Sequence, residues 1–472
     1  MVPNTAIRVP PAKLVSCREH VVPGQFLTAE LFFQVPLDYE DPDSGTITIF
    51  GRRIAKRDMP ITPPDDEDAK KAANKPYMVF LEGGPGFGNR DPQDHPLTRI
   101  AVPRGYQVLF LDYRGVGMST PVSAAMLAKI GDADAQAKYL GLMRQDNTVR
   151  DCEAVRKCLT AGWPDIKAVW SIFGQSYGGF VSLSYLSMHP EGLAEVFLTG
   201  GLAPVGKTAD QVYEATFRKT IERNIEYYAK FPADVAVVRQ IAAHLESEGG
   251  VALPSGGTLT VPRLLTLGIA FGGHGGFANV HNTLLRLKTS LDQLKLLDRS
   301  ALQQVETFTP FDTNIIYAIL HEAIYCDGPE KPSAWAAYRV GKALKPFSWL
   351  NPGYESASAD DPLYFSGEMI FPTHFETYPE LISLRDVAEK IATRTDWPAL
   401  YDEERLRNNT VPVYAASYIE DMYVEHSLAR ETSRLVKGTK VFETNIVYHN
   451  GLRARTDEVL RQLFSLRDDV LD

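Results

Sequence analysis

The sequence predicts an α/β protein built on a doubly wound, mostly parallel sheet into which a helical segment is inserted. Short apolar runs that do not alternate with polar residues recur between residues 77 and 198, with helical segments between them. Such runs are typical of strands buried on both faces of a parallel sheet. From about residue 205 to 400 amphipathic helical patterns dominate, and strand-like runs return only after residue 410.

Length and composition limit the class of protein. A chain of 472 residues is long for a single core, which favours one large domain with an insertion, or two domains. The net charge of −10 argues against nucleic-acid binding, because nucleic-acid-binding proteins carry a basic surface. No apolar run is long enough to span a membrane, and residues 1–10 lack the apolar core of a signal peptide. We therefore expect a cytoplasmic protein that does not contact membranes.

The cysteines predict neither a disulfide framework nor a zinc site. They form no CxxC pair and are too few to cross-link a chain of this length. We interpret them as reduced thiols; they are Cys17, Cys152, Cys158 and Cys326.

The predicted elements begin with a hairpin. Leu31–Pro36 and Thr46–Phe50 have strand character and flank the turn-rich segment Asp41–Gly45. Residues 61–76 are polar and charged, which predicts an exposed loop. Four buried strands follow, at Tyr77–Leu81, Tyr106–Leu111, Ala168–Phe173 and Ala194–Leu198.

Helical periodicity fills the intervals. One long helix is predicted over residues 131–161 and a short one over 177–188; in the insertion, Gln211–Tyr228 and Asp312–Ala323 are helical candidates. Strands at Val411–Ala416 and Lys440–Val447 and a helix over 453–466 complete the chain. The predicted division is therefore a sheet domain from residues 1–204 and 401–472, with a helical cap over 205–400.

Ser176 is the predicted nucleophile of a hydrolase. It is the serine of a Gly-x-Ser-x-Gly motif that spans Gly174 to Gly178, follows a predicted buried strand and opens a helix. Small neighbours permit the sharp turn that exposes a serine hydroxyl to a base, and the helix directs its N-terminal dipole at the site. This strand–turn–helix context indicates a nucleophile far more specifically than the Gly-x-Ser-x-Gly sequence does by itself.

A base and an acid should follow the serine in chain order, with the acid first. Only His426 and His449 follow the helical insertion. His449 is favoured because it comes directly after the last predicted strand. Glu420 and Asp421 both follow the preceding strand, and either could instead be a helix cap or a solvated charge. Asp421 is our choice.

The predicted oxyanion donors are backbone amides. One belongs to Tyr177, directly after the nucleophile, and the other to Gly84 in the loop after the first buried strand. Glycine allows close approach of a backbone amide to a substrate oxygen, so Gly83 is assigned to substrate binding. Asp112 and Arg114, which follow the next strand, are interpreted as structural residues that tie loops together.

These motifs resemble those of the prolyl aminopeptidase (proline iminopeptidase) family. Gly-Gly-Pro-Gly at 83–86, Asp-x-Arg-Gly-x-Gly-x-Ser at 112–119 and Gly-Gln-Ser-Tyr-Gly-Gly at 174–179 occur in the family's order and spacing. Residues 320–326, 367–372, 421–424 and 449–451 resemble its longer members. The resemblance implies an α/β-hydrolase fold with a large helical cap inserted before the last two strands, and it supports Asp421.

The resemblance also implies release of N-terminal proline from peptides without a metal or other cofactor; it leaves the oligomeric state open. Glu322 and Glu368, within the matching cap segments, are the candidates for binding the substrate's ammonium group. Either could instead be an ordinary structural carboxylate. Ile324, Tyr325 and Phe371 could form the proline pocket or belong to the core.

Two departures from the shorter members leave the substrate range open. Glu82 stands where those members carry histidine, and residues 199–202 read Thr-Gly-Gly-Leu where they carry an arginine. A broader aminopeptidase, an esterase or an amide hydrolase on the same scaffold is therefore the alternative function. A non-enzymatic module on an inactive hydrolase fold is disfavoured by the intact serine, aspartate and histidine.

Overall fold

The computed structural model describes residues 7–57, 74–308, 310–356 and 361–469. Its strands are β1 (Lys13–Val22), β2 (Phe26–Pro36), β3 (Thr46–Lys56), β4 (Tyr77–Leu81), β5 (Gln107–Leu111), β6 (Trp170–Gln175), β7 (Leu193–Thr199), β8 (Val251–Ala252), β9 (Thr258–Leu259), β10 (Val413–Tyr418) and β11 (Thr439–Thr444). In the described part of the chain, nine of them form one sheet in the order β1-β2-β3-β5-β4-β6-β7-β10-β11, and β8 pairs with β9.

The sheet is antiparallel at one side and parallel through the rest. Strands β1, β2, β3 and β5 pair antiparallel in sequence, whereas β5, β4, β6, β7, β10 and β11 pair in parallel. All residues of β4, β5 and β6 are buried, as expected for strands covered on both faces. The predicted α/β fold with a mostly parallel sheet is confirmed.

The helices before the insertion are α1 (Pro96–Ala101), α2 (Ala124–Ile130), α3 (Ala133–Gly141), α4 (Gln145–Leu159) and α5 (Tyr177–Met188). Between β7 and β10 lie α6 (Ala209–Lys230), α7 (Asp234–Ser247), α8 (Val261–Leu265), α9 (Gly276–Leu294), α10 (Arg299–Phe308), α11 (Ile315–Leu320), α12 (Ala336–Lys342), α13 (His374–Thr377), α14 (Pro379–Ile382), α15 (Arg385–Ala392) and α16 (Glu403–Arg407). The chain ends with α17 (His426–Leu435), α18 (Gly451–Ala454) and α19 (Thr456–Asp468).

The insertion leaves the sheet intact, because β7 and β10 are neighbours despite the intervening residues. Val413 of β10 pairs with Val196 of β7. The sequence-predicted cap boundaries at residues 205 and 400 stay a prediction. None of the described helices is both long and apolar enough to cross a membrane.

The prediction of one long helix over residues 131–161 is wrong. Helices α3 and α4 divide this segment, and Arg144 between them has extended backbone. The buried Arg144 guanidinium donates to the carbonyl oxygens of Cys326 at 2.7 Å and Pro398 at 2.8 Å. The break between α3 and α4 therefore allows Arg144 to bind the insertion. Helical periodicity does not reveal this contact, because its acceptors are distant in the sequence.

Three smaller predictions need correction or fall outside the described residues. Helix α11 covers only part of the predicted helix Asp312–Ala323, because 3₁₀ turns at Phe311–Thr313 and Glu322–Tyr325 flank it. The predicted helix over 453–466 is two helices, α18 and α19. Of the predicted loop at 61–76, residues 61–73 lie outside the described residues.

Arg114 has the structural role predicted for it. Its side chain is fully buried and forms two hydrogen bonds with the Asp151 carboxylate, both at 2.7 Å. It also donates to the carbonyl oxygens of Leu37 and Leu142 at 2.9 and 2.8 Å. The pair therefore fixes the loop after β5 against helix α4.

We expect Asp151→Asn to lower the free energy of unfolding by about 3–5 kcal/mol, because it leaves the buried Arg114 charge uncompensated. The matched control is Asp210→Asn, which breaks the solvent-exposed pair with Arg339 and should cost no more than about 1 kcal/mol. Urea unfolding of both variants checks the prediction. Equal losses would contradict it.

Candidate active site

Ser176 lies in a tight turn between strand β6 and helix α5. Its backbone has φ 54° and ψ −123°, in a region that residues other than glycine rarely adopt. A Cβ on Gly178 would lie 1.9 Å from the Leu81 carbonyl oxygen, and one on Gly174 would lie 2.4 Å from the Gly178 carbonyl oxygen. Glycine is therefore required at both positions, and the turn presents the Ser176 hydroxyl at the carboxyl end of β6.

His449 and Asp421 lie beside Ser176, although they follow two different strands. His449 Nε2 is 2.8 Å from Ser176 Oγ, and His449 Nδ1 is 2.7 Å from Asp421 Oδ2. The backbone N–H of His449 donates to the Gly272 carbonyl oxygen of the insertion at 3.0 Å. The three side chains thus form one continuous, buried hydrogen-bonded chain.

The loop after β10 fixes the Asp421 carboxylate. Its Oδ1 accepts hydrogen bonds from the amides of Tyr423 at 2.8 Å and Val424 at 3.0 Å. Because these donors hold one oxygen, Oδ2 is directed at His449. The Tyr423 ring packs edge-on against the imidazole, with 4.7 Å between ring centroids.

The alternative acid and base lie elsewhere. Glu420 is 3.4 Å from Lys219, and His426 is 3.4 Å from Glu443. The structure therefore brings Asp421 and His449, rather than these residues, to Ser176.

The environment of His449 favours its charged form. Burial disfavours the imidazolium, but the hydrogen-bonded Asp421 carboxylate and Glu368 outweigh burial and the nearby Arg453 charge and raise the pKa of His449 above its ordinary value. A base of raised pKa accepts a proton from serine more readily, and it must itself be deprotonated before it can do so.

Two backbone amides near Ser176 are available as donors. Tyr177 is the first residue of α5, and Gly84 lies in the loop after β4; neither amide donates to an acceptor within the described residues. Gly83 differs, because its amide donates to Glu82 Oε1 at 2.8 Å. A Cβ on Gly83 would lie 3.6 Å from Ser176 Oγ. Gly83 therefore forms the wall beside the hydroxyl, and Gly84 offers the free amide.

A cavity of about 420 Å³ opens at Ser176 between the sheet and the insertion. Apolar side chains and charged side chains both line it. The apolar ones are Phe87, Ile269, Phe308, Pro310, Phe311 and Tyr317, and the polar ones besides Ser176 and His449 are Glu82, Arg90, Gln175, Asn314, Glu368 and Arg453.

Glu368 is the carboxylate that the insertion contributes to this cavity. Its Oε1 accepts a hydrogen bond from the Tyr317 hydroxyl at 2.7 Å, and its Oε2 is 3.6 Å from His321 Nε2. Burial disfavours the charge, but His321, His449 and the Tyr317 hydroxyl lower the pKa of Glu368 below its ordinary value. The cavity therefore holds an ionised carboxylate close to the Ser176–His449 pair.

Known proteins identify the family. Residues 76–242 match the family model of the alpha/beta hydrolase fold. Proline iminopeptidase aneH of Aspergillus aculeatus is 39% identical over 464 residues, which cover 98% of this chain and 99% of that protein. This chain belongs to the proline iminopeptidase family. A proline iminopeptidase of Aeromonas sobria is 40% identical over 439 residues, covering 93% of this chain and 96% of that protein. The chain is thus a peptidase on an α/β-hydrolase scaffold.

In this proline iminopeptidase family member, Glu322 is not among the residues that line the cavity. Its carboxylate accepts hydrogen bonds from the amides of Ala336 at 3.2 Å and Ala337 at 2.9 Å, the first residues of α12. Burial raises the pKa of Glu322 in spite of these donors. Glu322 therefore caps a helix, and the structure does not bring it to Ser176 together with Glu368.

The three apolar candidates for a proline pocket do not line the cavity either. Tyr325 packs against Phe180 and Tyr213, and Phe371 packs against Trp349. Ile324 is buried as well. Sequence reasoning instead missed Phe87, Phe311 and Tyr317, of which Phe87 directly follows the Gly-Gly-Pro-Gly motif.

Glu82 joins two segments of the site. Its Oε1 accepts the Gly83 amide hydrogen bond and is 3.2 Å from Arg453 Nη2 on α18. This ion pair links the loop that carries Gly84 to the helix that follows His449. The position at which shorter family members carry histidine is therefore occupied here by a carboxylate with a structural partner.

Among the described residues, Glu153, His189 and Glu191 form one group that could hold a metal ion. Glu153 is already engaged, because its oxygens accept hydrogen bonds from Arg156 at 2.6 and 2.8 Å and from Tyr185 at 2.9 Å. The group lies outside the cavity. Its chemistry therefore fits a structural ion pair better than a metal site.

Proposed function

We propose that this chain releases N-terminal proline from peptides by serine-hydrolase chemistry, with Ser176, His449 and Asp421 as its catalytic triad. The main support for the proposal is the unbroken hydrogen-bonded chain of these three residues. Ser176 and His449 line a cavity that is also lined by the Glu368 carboxylate. Nucleophile, base and ammonium-binding group would thus face one small substrate.

In the acylation step, Ser176 Oγ attacks the prolyl carbonyl carbon while His449 Nε2 takes the hydroxyl proton. Asp421 accepts the Nδ1–H hydrogen bond, which selects the tautomer whose Nε2 is free to accept a proton. The negative charge that develops on the carbonyl oxygen would be held by the amides of Tyr177 and Gly84. These amides have no competing acceptor within the described part of the chain.

Collapse of this intermediate breaks the peptide bond. His449 returns its proton to the leaving amine, and the prolyl group stays on Ser176 as an ester. Water then attacks the ester with His449 again acting as base, and free proline and Ser176 are regenerated.

Selection of proline would depend on Glu368 and on the rings around it. The secondary ammonium of an N-terminal proline carries two N–H donors, and an ionised carboxylate is the matching acceptor. Phe311 and Tyr317 line the same cavity and stack on each other with 5.5 Å between ring centroids. They would supply apolar contact for the pyrrolidine ring.

The test is a panel of aminoacyl β-naphthylamides. We expect kcat/KM to be highest for proline, lower for alanine and leucine, and lowest for N-acetylproline, which has no ammonium group. If alanine β-naphthylamide is cleaved as fast as the proline substrate, the chain is a broader aminopeptidase. If N-acetylproline reacts as well as proline, it is a general amide hydrolase.

The raised pKa of His449 predicts how activity changes with pH. Because the base must be neutral, kcat/KM falls as the pH drops through the pKa of His449. Glu368→Gln removes a negative charge that stabilises the imidazolium, so the acid limb should move to lower pH. The pH profile of p-nitrophenyl acetate hydrolysis measures this shift, and Glu322→Gln is the matched control that should leave the limb in place. An unmoved acid limb in Glu368→Gln would contradict an electrostatic effect of Glu368 on His449.

A further inference from the structure

We propose that Arg90 and Arg453 bind a carboxylate on the leaving side of the scissile bond, so that the preferred substrates are peptides of about two or three residues. The inference rests on the proposed function and adds the length and charge of its substrates. Both arginines line the cavity that contains Ser176.

The two arginines that line the cavity come from different segments of the chain. Arg90 follows the loop of Gly83 and Gly84, whereas Arg453 belongs to α18, which directly follows His449. Burial, followed by the charges of Arg453 and Arg90, lowers the pKa of the nearby His95 to about 3. Both arginines therefore lie close enough to this one imidazole to act on it electrostatically.

Their charge is not fully neutralised by the protein. Arg90 is exposed, and within the described residues it has neither an ion pair nor a hydrogen bond. Arg453 donates to Glu82 through Nη2 at 3.2 Å, and 47% of its side chain remains exposed. Among the described residues the two guanidinium groups thus share one ion-pair partner, Glu82, which leaves one guanidinium and several N–H donors for a ligand. Guanidinium groups bind carboxylates through charge-assisted hydrogen bonds.

The negative charge of Glu368, which lines the same cavity, belongs to the insertion. The hydrogen-bond and ion-pair partners of Glu368 are Tyr317 and His321, both from the insertion, whereas Arg90 and Arg453 belong to the sheet domain. A short peptide has the matching pattern, with an ammonium group at one end, a carboxylate at the other and the scissile carbonyl between them. The volume of about 420 Å³ is at the small end of ligand cavities, which favours a peptide of few residues.

The experiment compares kcat/KM for Pro-Ala, Pro-Ala-NH₂ and Pro-Glu-NH₂ with the full-length chain. We expect Pro-Ala to exceed Pro-Ala-NH₂ by about tenfold. Pro-Glu-NH₂ distinguishes a side-chain carboxylate from the C-terminal one. If its kcat/KM equals that of Pro-Ala, the arginines bind either carboxylate. If its kcat/KM equals that of Pro-Ala-NH₂, they bind only the C-terminal carboxylate. Equal values for all three peptides would overturn the proposal.

Arg90→Gln should reduce the ratio of Pro-Ala to Pro-Ala-NH₂ toward one, because it removes the unpaired guanidinium and leaves the Glu82–Arg453 pair intact. Arg385→Gln, on the surface of the insertion, is the matched control and should preserve the ratio. A ratio that survives Arg90→Gln and Arg453→Gln together would also overturn the proposal. Proline β-naphthylamide has no carboxylate, so its hydrolysis by the unmodified chain tests the proposed function separately.

Discussion

Ser176→Ala is expected to lower kcat for proline β-naphthylamide by about 10⁴-fold or more, the scale seen when the nucleophile of a serine hydrolase triad is removed. In the proposed mechanism this hydroxyl forms the acyl-enzyme, and the hydrogen-bonded chain from Asp421 through His449 ends at it. The loss should appear in kcat with an unchanged melting temperature, since alanine leaves the turn's glycines and their contacts in place.

The matched control for this variant is Ser187→Ala. Ser187 is a buried serine of α5, the helix that follows Ser176, and its hydroxyl donates to the Leu183 carbonyl oxygen at 3.0 Å. This variant should retain activity and covalent labelling by a fluorophosphonate, whereas Ser176→Ala should lose both. Labelling that persists in Ser176→Ala would show that a different residue is the reactive nucleophile.

Glu368→Gln is expected to reduce kcat/KM for proline β-naphthylamide by about 100-fold, on the scale of removing one partner from a desolvated charge pair. The glutamine amide retains the shape and the Tyr317 contact but loses the charge that would face the prolyl ammonium. The same variant should affect p-nitrophenyl acetate much less, since that ester has no ammonium group. The informative quantity is therefore the loss of kcat/KM for proline β-naphthylamide divided by the loss for p-nitrophenyl acetate, both measured on one preparation.

Glu322→Gln tests whether Glu322 binds the substrate or only stabilises the fold. Glu322 accepts hydrogen bonds from the first amides of α12, so its substitution should lower the melting temperature while the proline-to-ester ratio stays close to that of the unmodified chain. If Glu322→Gln, rather than Glu368→Gln, abolished the preference for proline, the assignment of the ammonium-binding carboxylate would be wrong.

The elements that could be predicted from sequence are those whose signals are local. A buried strand followed by Gly-x-Ser-x-Gly requires the turn at Ser176, because no larger residue fits at Gly174 or Gly178. Chain order favoured His449, because it follows the last predicted strand. It left Glu420 and Asp421 as candidate acids, and the family resemblance supported Asp421. Strands β4, β5 and β6 were recognisable because they are buried on both faces and read as continuous apolar runs. Strand β11, which precedes His449, is only partly buried.

What could not be predicted depends on contacts between distant segments. Strand β1 is almost entirely exposed, so it carries no hydrophobic pattern. The break at Arg144 is explained by acceptors at Cys326 and Pro398, far along the chain. Both cap glutamates stand in matching motifs, yet only the packing of the insertion decides that Glu368 faces the cavity and Glu322 the start of α12.

If Ser176 carries the prolyl group during turnover, acid quenching during the first turnover of proline benzyl ester should trap that group on the protein. An ester accelerates acylation relative to an amide, so the acyl-enzyme should accumulate. We expect peptide mass mapping to find one prolyl group, attached to the peptide that contains Ser176. A prolyl group on any other residue, or a burst of benzyl alcohol without a covalent adduct, would contradict this role of Ser176.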